Sequence, residues 1–174
     1  TIDTKDDVLQ LLYVGRLAPE KNIPLLVESI FQLKKTGISC HLRLIGEGPE
    51  LEKIEAAIER LGVSKSVQLL PWSEQIADEM ASSDVFCLSS QHEGWGMVLQ
   101  EAAAAGLAVI TTDVGCAGEF ITHEVEGLIV PVDNVAEFAS AIERCTEASY
   151  RYSLARAAFE KAVETQISES AYIT

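Results

Sequence analysis

Positive charge is scarce in this sequence. Its 174 residues hold 13 Lys and Arg against 27 Asp and Glu, for a formal net charge of −14 and a pI near 4.5. Nucleic acids and anionic membrane surfaces are bound through clustered Lys and Arg, so neither is expected as a partner. The deficit is uneven, with no Lys or Arg at all between Lys65 and Arg144. An anion bound by that stretch must be met by cations from the first third of the chain, or by backbone amides at helix N-termini. Long apolar runs are missing too: none approaches the ~20 residues that span a bilayer.

Other absences narrow the chemistry. Cys40, Cys87, Cys116 and Cys145 show no CxxC spacing and no partner His cluster, so they read as buried, reduced thiols of a cytoplasmic protein. There is no Walker A motif and no GxGxxG after the first strand, which speaks against ATP and NAD. No Asp-x-Asp pair or His/Asp cluster suggests a metal. Ser89 and Ser90 lack a G-x-S-x-G context, and His41, His92 and His123 are scattered, so no Ser-His-Asp arrangement is expected. Thr1 is not an initiator Met, and the chain reads as a piece of something longer.

What is present is a globular balance, 48% hydrophobic and 23% charged. Short apolar runs alternate with helical patterns. Strands are expected at Leu11–Val14, Leu42–Ile45, Val67–Leu70, Val85–Leu88, Leu107–Thr111 and Leu128–Val130. Helices are expected from Pro24 to Lys35, along a face of Leu51, Ile54, Ile58 and Leu61, and over Glu74–Ser82, Gly96–Ala105 and Gly118–Thr122. Two more follow, one through Val135, Phe138, Ala139 and Ile142 with Asp133 or Asn134 as cap, and one from Tyr150 to Thr165. This alternation implies a single α/β domain over residues 1–174. It would be doubly wound, with a mainly parallel six-stranded Rossmann-like sheet, helices on both faces and a terminal helix within 150–174. Ligands of such sheets sit beyond the carboxyl ends of the strands, where strand order reverses.

Two loops at that edge carry candidate chemistry. After the first strand, Gly15 lets backbone approach a ligand, and Arg16 and Lys21 are cations suited to phosphate. After the fourth, Ser89-Ser90-Gln91-His92-Glu93-Gly94-Trp95-Gly96 leads into Met97-Val98-Leu99-Gln100-Glu101, a glycine-rich approach to a helix N-terminus that suits a diphosphate. Glu93 and Glu101 would bracket such a ligand. Val98, Leu99 and the alanines from 102 to 105 suggest a buried helix, in which an unpaired Glu101 carboxylate is costly and therefore expected to have a partner.

Glu93-Gly-Trp-Gly, Glu101-Ala-Ala-Ala-Ala-Gly106 and Val109-Ile-Thr-Thr-Asp113 together resemble the E-x7-E signature of retaining GT-B glycosyltransferases, family 4 in particular. Gly15-Arg16 with Lys21, Ile45-Gly46-Glu47-Gly48-Pro49 and Gly127-Leu128-Ile129-Val130 fall where that family has them. The resemblance runs from about Leu11 to Ile142. It implies the C-terminal, donor-binding domain of such an enzyme, its N-terminal acceptor domain being absent from this chain. The implied donor is a UDP-, GDP- or ADP-sugar, with no metal cofactor. Arg16 and Lys21 would hold the diphosphate, Glu101 the ribose hydroxyls and Glu93 the transferred sugar. Backbone amides of Trp95–Val98 would help at phosphate and sugar, Gly15 and Gly46 would let backbone approach, and the Leu70-Pro71-Trp72 edge would meet the base. Catalytic roles fall to Glu93, Arg16 and Lys21, with Gly94, Trp95, Gly96, Met97 and Val98 completing the donor site. The terminal helix would reach an interdomain seam, and a full-length protein attached peripherally at the inner membrane face fits the same family.

Departures from the family pattern are Trp95 for Phe, Ala108 for Pro and Cys116 for Gly. Cys116, near an expected helix start, would be packing, or a reactive thiol with a lowered pKa. A sugar-nucleotide epimerase of the same fold and a non-catalytic nucleotide-binding module are the alternative readings.

Overall fold

The structure, a computed structural model, describes residues 8–171, with side chains through residue 166. The ends of the expected domain at residues 1–7 and 172–174 lie outside the described residues. Six strands form one sheet: β1 (Leu9–Val14), β2 (Cys40–Ile45), β3 (Val67–Leu70), β4 (Val85–Leu88), β5 (Ala108–Thr112) and β6 (Leu128–Val130). All pairings are parallel, in the order β3-β2-β1-β4-β5-β6. Order reverses between β1 and β4, where Leu11 pairs with Val85 and Leu12 with Phe86. The crevice of a doubly wound sheet opens at that junction, beyond Val14 and Leu88.

Among the described residues six helices cover the sheet: α1 (Ile23–Lys35), α2 (Leu51–Arg60), α3 (Ile76–Ala81), α4 (Met97–Ala104), α5 (Val135–Arg144) and α6 (Ala148–Ala171). Helix α1 packs against α2 and α5, whereas α6 lies against α4 and β5. Strands covered on both faces bury every side chain, as β4 and β5 do: all are apolar but Thr111 and Thr112, whose hydroxyls donate to backbone carbonyls. Pro24 sits at the start of α1, where its missing N–H costs nothing, and Asn134 caps α5 by accepting the Glu137 N–H at 3.0 Å. Arg43, a charge within β2, reaches α3. It pairs with Glu79 and donates to the Ser82 and Ser83 hydroxyls, tying that short helix to the sheet.

Four expectations need correction. Strands β1 and β2 begin two residues early, at Leu9 and Cys40, because pairing continues past the unbroken apolar runs. No helix forms at Gly118–Thr122: the Gly118 N–H turns back to the Ile121 carbonyl at 2.8 Å, closing a bridge between Ala117 and Ile121 instead. Leu51, expected on the buried face of α2, is 38% exposed at the crevice mouth, leaving Ile54, Ala57 and Ile58 as the buried stripe. Helix α6 begins at Ala148 and runs beyond Thr165, and through Leu154, Ala155, Ala158 and Ala162 it is buried on this domain. No helix among the described residues is long and apolar enough to cross a membrane.

Candidate functional site

The loop after β1 is drawn against the loop after β2 by backbone alone. Gly15 N–H donates to Ile45 O at 3.0 Å, Leu17 N–H to Glu47 O at 2.8 Å and Glu50 N–H to Leu17 O at 3.0 Å. The approach is so close that a Cβ on Gly46 would stand 1.9 Å from the Gly15 carbonyl oxygen. This places Arg16 at the crevice, exposed, its guanidinium without a hydrogen bond or ion pair among the described residues. A 3-10 turn at Pro19–Lys21, which the sequence pattern does not announce, then turns Lys21 back towards β4.

A cleft of about 290 Å³ at the β1–β4 junction is lined by Tyr13, Gly15, Arg16, Lys21, Glu93, Gly96, Met97 and Val98 among others. Most residues expected at a donor diphosphate and sugar thus meet in one place. Beside it, a crevice of about 420 Å³ takes Gly46, Leu70 and Pro71, together with Glu47, Leu51 and Glu55. Gly94, Trp95 and Glu101 line neither. Trp95 turns its carbonyl to the Cys116 N–H at 2.8 Å, joining the loop after β4 to the loop after β5. Trp72, expected on the base edge with Leu70 and Pro71, is 57% exposed beyond the end of β3 and does not line that crevice.

Lys21 and Glu93 form an ion pair, Nζ to Oε1 at 2.5 Å, both largely shielded from solvent. An ammonium carries three donors, so two remain for a ligand. The Ser90 hydroxyl donates to the same Oε1 at 2.6 Å, and the Thr112 hydroxyl holds the Ser90 carbonyl at 2.6 Å. The Ser89 hydroxyl donates to the Lys21 carbonyl at 2.8 Å. Further out, Asp133 Oδ1 accepts from Asn22 Nδ2 and Gln91 Nε2, each at 2.8 Å. Asn22 and Asp133 both have left-handed backbone, with φ of 48° and 58°. This shared carboxylate ties together the loops after β1, β4 and β6.

Sequence reasoning assigned Ser89, Ser90 and Thr112 no role. The signal lay in two consecutive hydroxyls directly after a fully apolar strand, which must find partners once buried.

Helix α4 begins at Met97 without a side-chain cap; the Leu99 N–H donates to the Gly96 carbonyl at 2.9 Å, and the Met97 and Val98 amides beside the cleft have no side-chain cap. Glu101 stands one turn beyond Met97 and Val98 on the same face. It is exposed, contrary to the buried setting expected for it, because α4 buries only Leu99, Ala102 and Ala103. His92 is an exposed loop residue.

Tyr13, at the cleft floor, donates to the Arg16 carbonyl at 3.0 Å, and burial together with the nearby Glu93 and Glu20 pushes its hydroxyl pKa well up. All four cysteines are free and buried. Burial outweighs the stabilising backbone hydrogen bond at Cys116 and raises its thiol pKa, so the lowered value considered for it is not found. Among the described residues no group of His, Cys, Asp and Glu is placed to hold a metal.

The chain is 33% identical over 131 residues to the exopolysaccharide phosphotransferase SCO2592 of Streptomyces coelicolor, covering 74% of this chain and 14% of that protein. It is 32% identical over 144 residues to a GDP-mannose-dependent alpha-mannosyltransferase of Mycobacterium tuberculosis, covering 82% and 36%. The crystal structure of Anabaena HepE in complex with UDP superposes with a TM-score of 0.84 at 24% identity, over 96% of this chain and 49% of that one. The chain therefore spans less than half the length of these proteins. The family model described as glycosyl transferases group 1 matches residues 2–164. With a GT-B-type parallel sheet and a cleft at its switch point, this chain belongs to the glycosyl transferases group 1 family.

Proposed function

We propose that this chain is the donor domain of a retaining glycosyltransferase and binds a nucleoside diphosphate sugar at the β1–β4 crevice. The observation that carries the reading is the meeting, in one cleft, of Arg16, Lys21, Glu93 and the uncapped start of α4. Glycosyl transfer needs the nucleoside diphosphate to leave, and the charge that develops on it must be met by groups already in place. Arg16 is uncommitted, Lys21 has donors to spare, and the first amides of α4 point their dipole at the same space. In this reading those groups replace a divalent cation, and Glu93 faces the transferred sugar. Glu101, exposed and unpartnered among the described residues, takes the ribose hydroxyls. The base lies in the crevice at Gly46, Leu70 and Pro71.

Transfer to an acceptor hydroxyl requires both substrates to be oriented, so the isolated chain binds donor without appreciable turnover and relies on an N-terminal acceptor domain. The four unpaired buried cysteines fit a reducing, cytoplasmic setting. Among the similar proteins one depends on GDP-mannose and one was crystallised with UDP, so the base is an experimental question.

Calorimetric titration with UDP, GDP and ADP, repeated on Arg16→Ala, tests the proposal. One nucleotide binds saturably, and the variant binds it about tenfold more weakly, the usual worth of a charge-assisted contact. Equal affinity in the variant removes Arg16 from the site, and no binding by any nucleotide counts against the donor reading.

A further inference from the structure

Buried side-chain hydroxyls are few in this molecule, and their placement is not random. Among the described residues the buried polar ones are Ser29, Ser89, Ser90, Thr111 and Thr112, and three of them converge on the Lys21–Glu93 ion pair. Ser89 and Ser90 follow β4 in extended sequence, so their side chains leave the backbone on opposite sides. One reaches the carbonyl of Lys21 at 2.8 Å and the other reaches the carboxylate of Glu93 at 2.6 Å. Each member of the pair is thus held by its own serine.

The way Glu93 is held is asymmetric. Lys21 Nζ and Ser90 Oγ both donate to Oε1, at 2.5 and 2.6 Å. Among the described residues no hydrogen bond is made to Oε2. A carboxylate anchored through one oxygen by two donors cannot rotate without losing both, so its second oxygen is presented in a fixed direction. The two anchors differ in stiffness. The lysine ammonium ends a flexible four-carbon stem and has donors that a diphosphate would compete for. The serine hydroxyl stands on a fully buried residue whose carbonyl is pinned by Thr112 Oγ1 at 2.6 Å.

We infer that Ser90 is a positioning residue: it fixes Glu93 so that Oε1 stays engaged while Oε2 faces the transferred sugar, and it keeps that orientation when a diphosphate draws on Lys21. Ser89 does the corresponding work for Lys21 by fixing its backbone. The inference rests on the donor reading above. It adds that the aim of Glu93 is set from the strand end behind it and not by its cationic partner.

Ser29 supplies the control. It is equally buried, its hydroxyl donates to Leu25 O at 2.8 Å, and it lies in α1 outside the cleft. The first measurement needs no ligand: a urea-unfolding double-mutant cycle of Ser90→Ala with Glu93→Gln. The expected coupling is about fivefold in the unfolding constant, typical of groups in direct contact. Independent effects, with coupling below about twofold, overturn the link.

The second measurement is titration with UDP-glucose against UDP and with GDP-mannose against GDP. Ser90→Ala weakens the sugar nucleotide about five- to tenfold and the matching diphosphate less than twofold, as expected when one well-aimed hydrogen bond to a charged group is lost. Ser90→Thr, which keeps the hydroxyl, restores the difference, and Ser29→Ala leaves both affinities alone. A parallel fall for sugar nucleotide and diphosphate, or no fall in either, overturns the positioning role. If the unsubstituted chain binds none of the four probes, the donor reading fails and the sugar-side role falls with it. The unfolding cycle then still reports whether the hydrogen bond exists.

Discussion

The loops leaving β1 and β4 face each other across one crevice but are fastened by different means. The first is fastened by backbone: three amide–carbonyl bonds join it to the loop after β2, and glycine at 46 permits the contact. The second has two backbone bonds, from Gln91 N–H to Glu20 O and from Cys116 N–H to Trp95 O, but is fastened chiefly by side chains, through Ser89, Ser90, Thr112 and the carboxylate of Asp133. Backbone fastening ignores most side-chain changes but does not tolerate an added Cβ. Side-chain fastening is graded, and each hydroxyl removed loosens the loop by a part. The first loop therefore suits a fixed cationic platform, and the second suits groups whose orientation must be set one by one.

Glycine substitution attacks this contrast most directly. Gly46→Ala forces a Cβ to within 1.9 Å of a backbone oxygen, whereas Gly94→Ala in the other loop meets nothing within 4 Å. The first is expected to cost about 3 kcal/mol or more, or to abolish folding, and the second to stay within about 0.5 kcal/mol. Urea midpoints decide, and similar losses at both sites would break the comparison.

A smaller effect is expected from Lys21→Met, which keeps the apolar stem and removes the charge that joins the loops. Loss of a hydrogen bond to a charged group predicts a stability decrease of about 2 kcal/mol, together with roughly tenfold weaker nucleoside diphosphate binding. Unchanged binding beside lowered stability would make the ion pair a fastener only.

The smallest effect concerns the loop after β5, fastened in part by ionisable groups. Burial pushes the Glu126 carboxyl pKa up, but hydrogen bonds from Thr122 and the Lys161 ammonium outweigh it and hold the group below its ordinary value. A carboxyl depressed in the folded state stabilises above its unfolded pKa, and the contribution fades as pH falls through the folded value. The unchanged chain should therefore be more stable than Glu126→Gln at pH 6, by about 0.5 kcal/mol in urea unfolding, and the gap should close in acid once the pH falls below the ordinary carboxylate range. A gap independent of pH would assign the effect to packing.

Much of the fold is legible in apolar runs. Val67–Leu70, Val85–Leu88 and Leu128–Val130 are strands with the same limits in sequence and structure, since a polar residue, a glycine or a proline cuts off each run at either end, although only Val85–Leu88 is buried throughout and Gln68 is exposed. The early start of β2 was hidden because Cys40 and His41 make no apolar run, yet both pair with β1. The stretch from Gly118 to Thr122 combines a glycine with the strand-favouring Phe120, Ile121 and Thr122, and its amides close local turns onto Cys116, Ile121 and Glu126 instead of a helix.

At the site, Arg16, Lys21 and Glu93 could be picked out because loops at the carboxyl edge of a parallel sheet converge. The pairing of Lys21 with Glu93 could not, since it depends on a 3-10 turn and on two serines whose burial is decided by β4 and β5 together. The exposure of Glu101 was misjudged for a related reason. A run of alanines marks a helix that packs closely on one face, and says nothing about how much of the other face is covered.

The cations beyond the charge gap have a consequence for approach of a ligand. Arg144, Arg151, Arg156 and Lys161 are the only Lys or Arg after the gap, and each is ion-paired, to Glu124, Asp84, Glu160 and Glu126 respectively. Their charge is neutralised within a few ångströms and contributes little at a distance. To an approaching anion the molecule is repulsive at long range, and attraction begins only within about a Debye length of Arg16, roughly 8 Å at physiological salt. Capture of a diphosphate is therefore a short-range event. Selectivity among anions rests on where they can reach, and added salt that weakens the final contact also lowers the barrier to arrival.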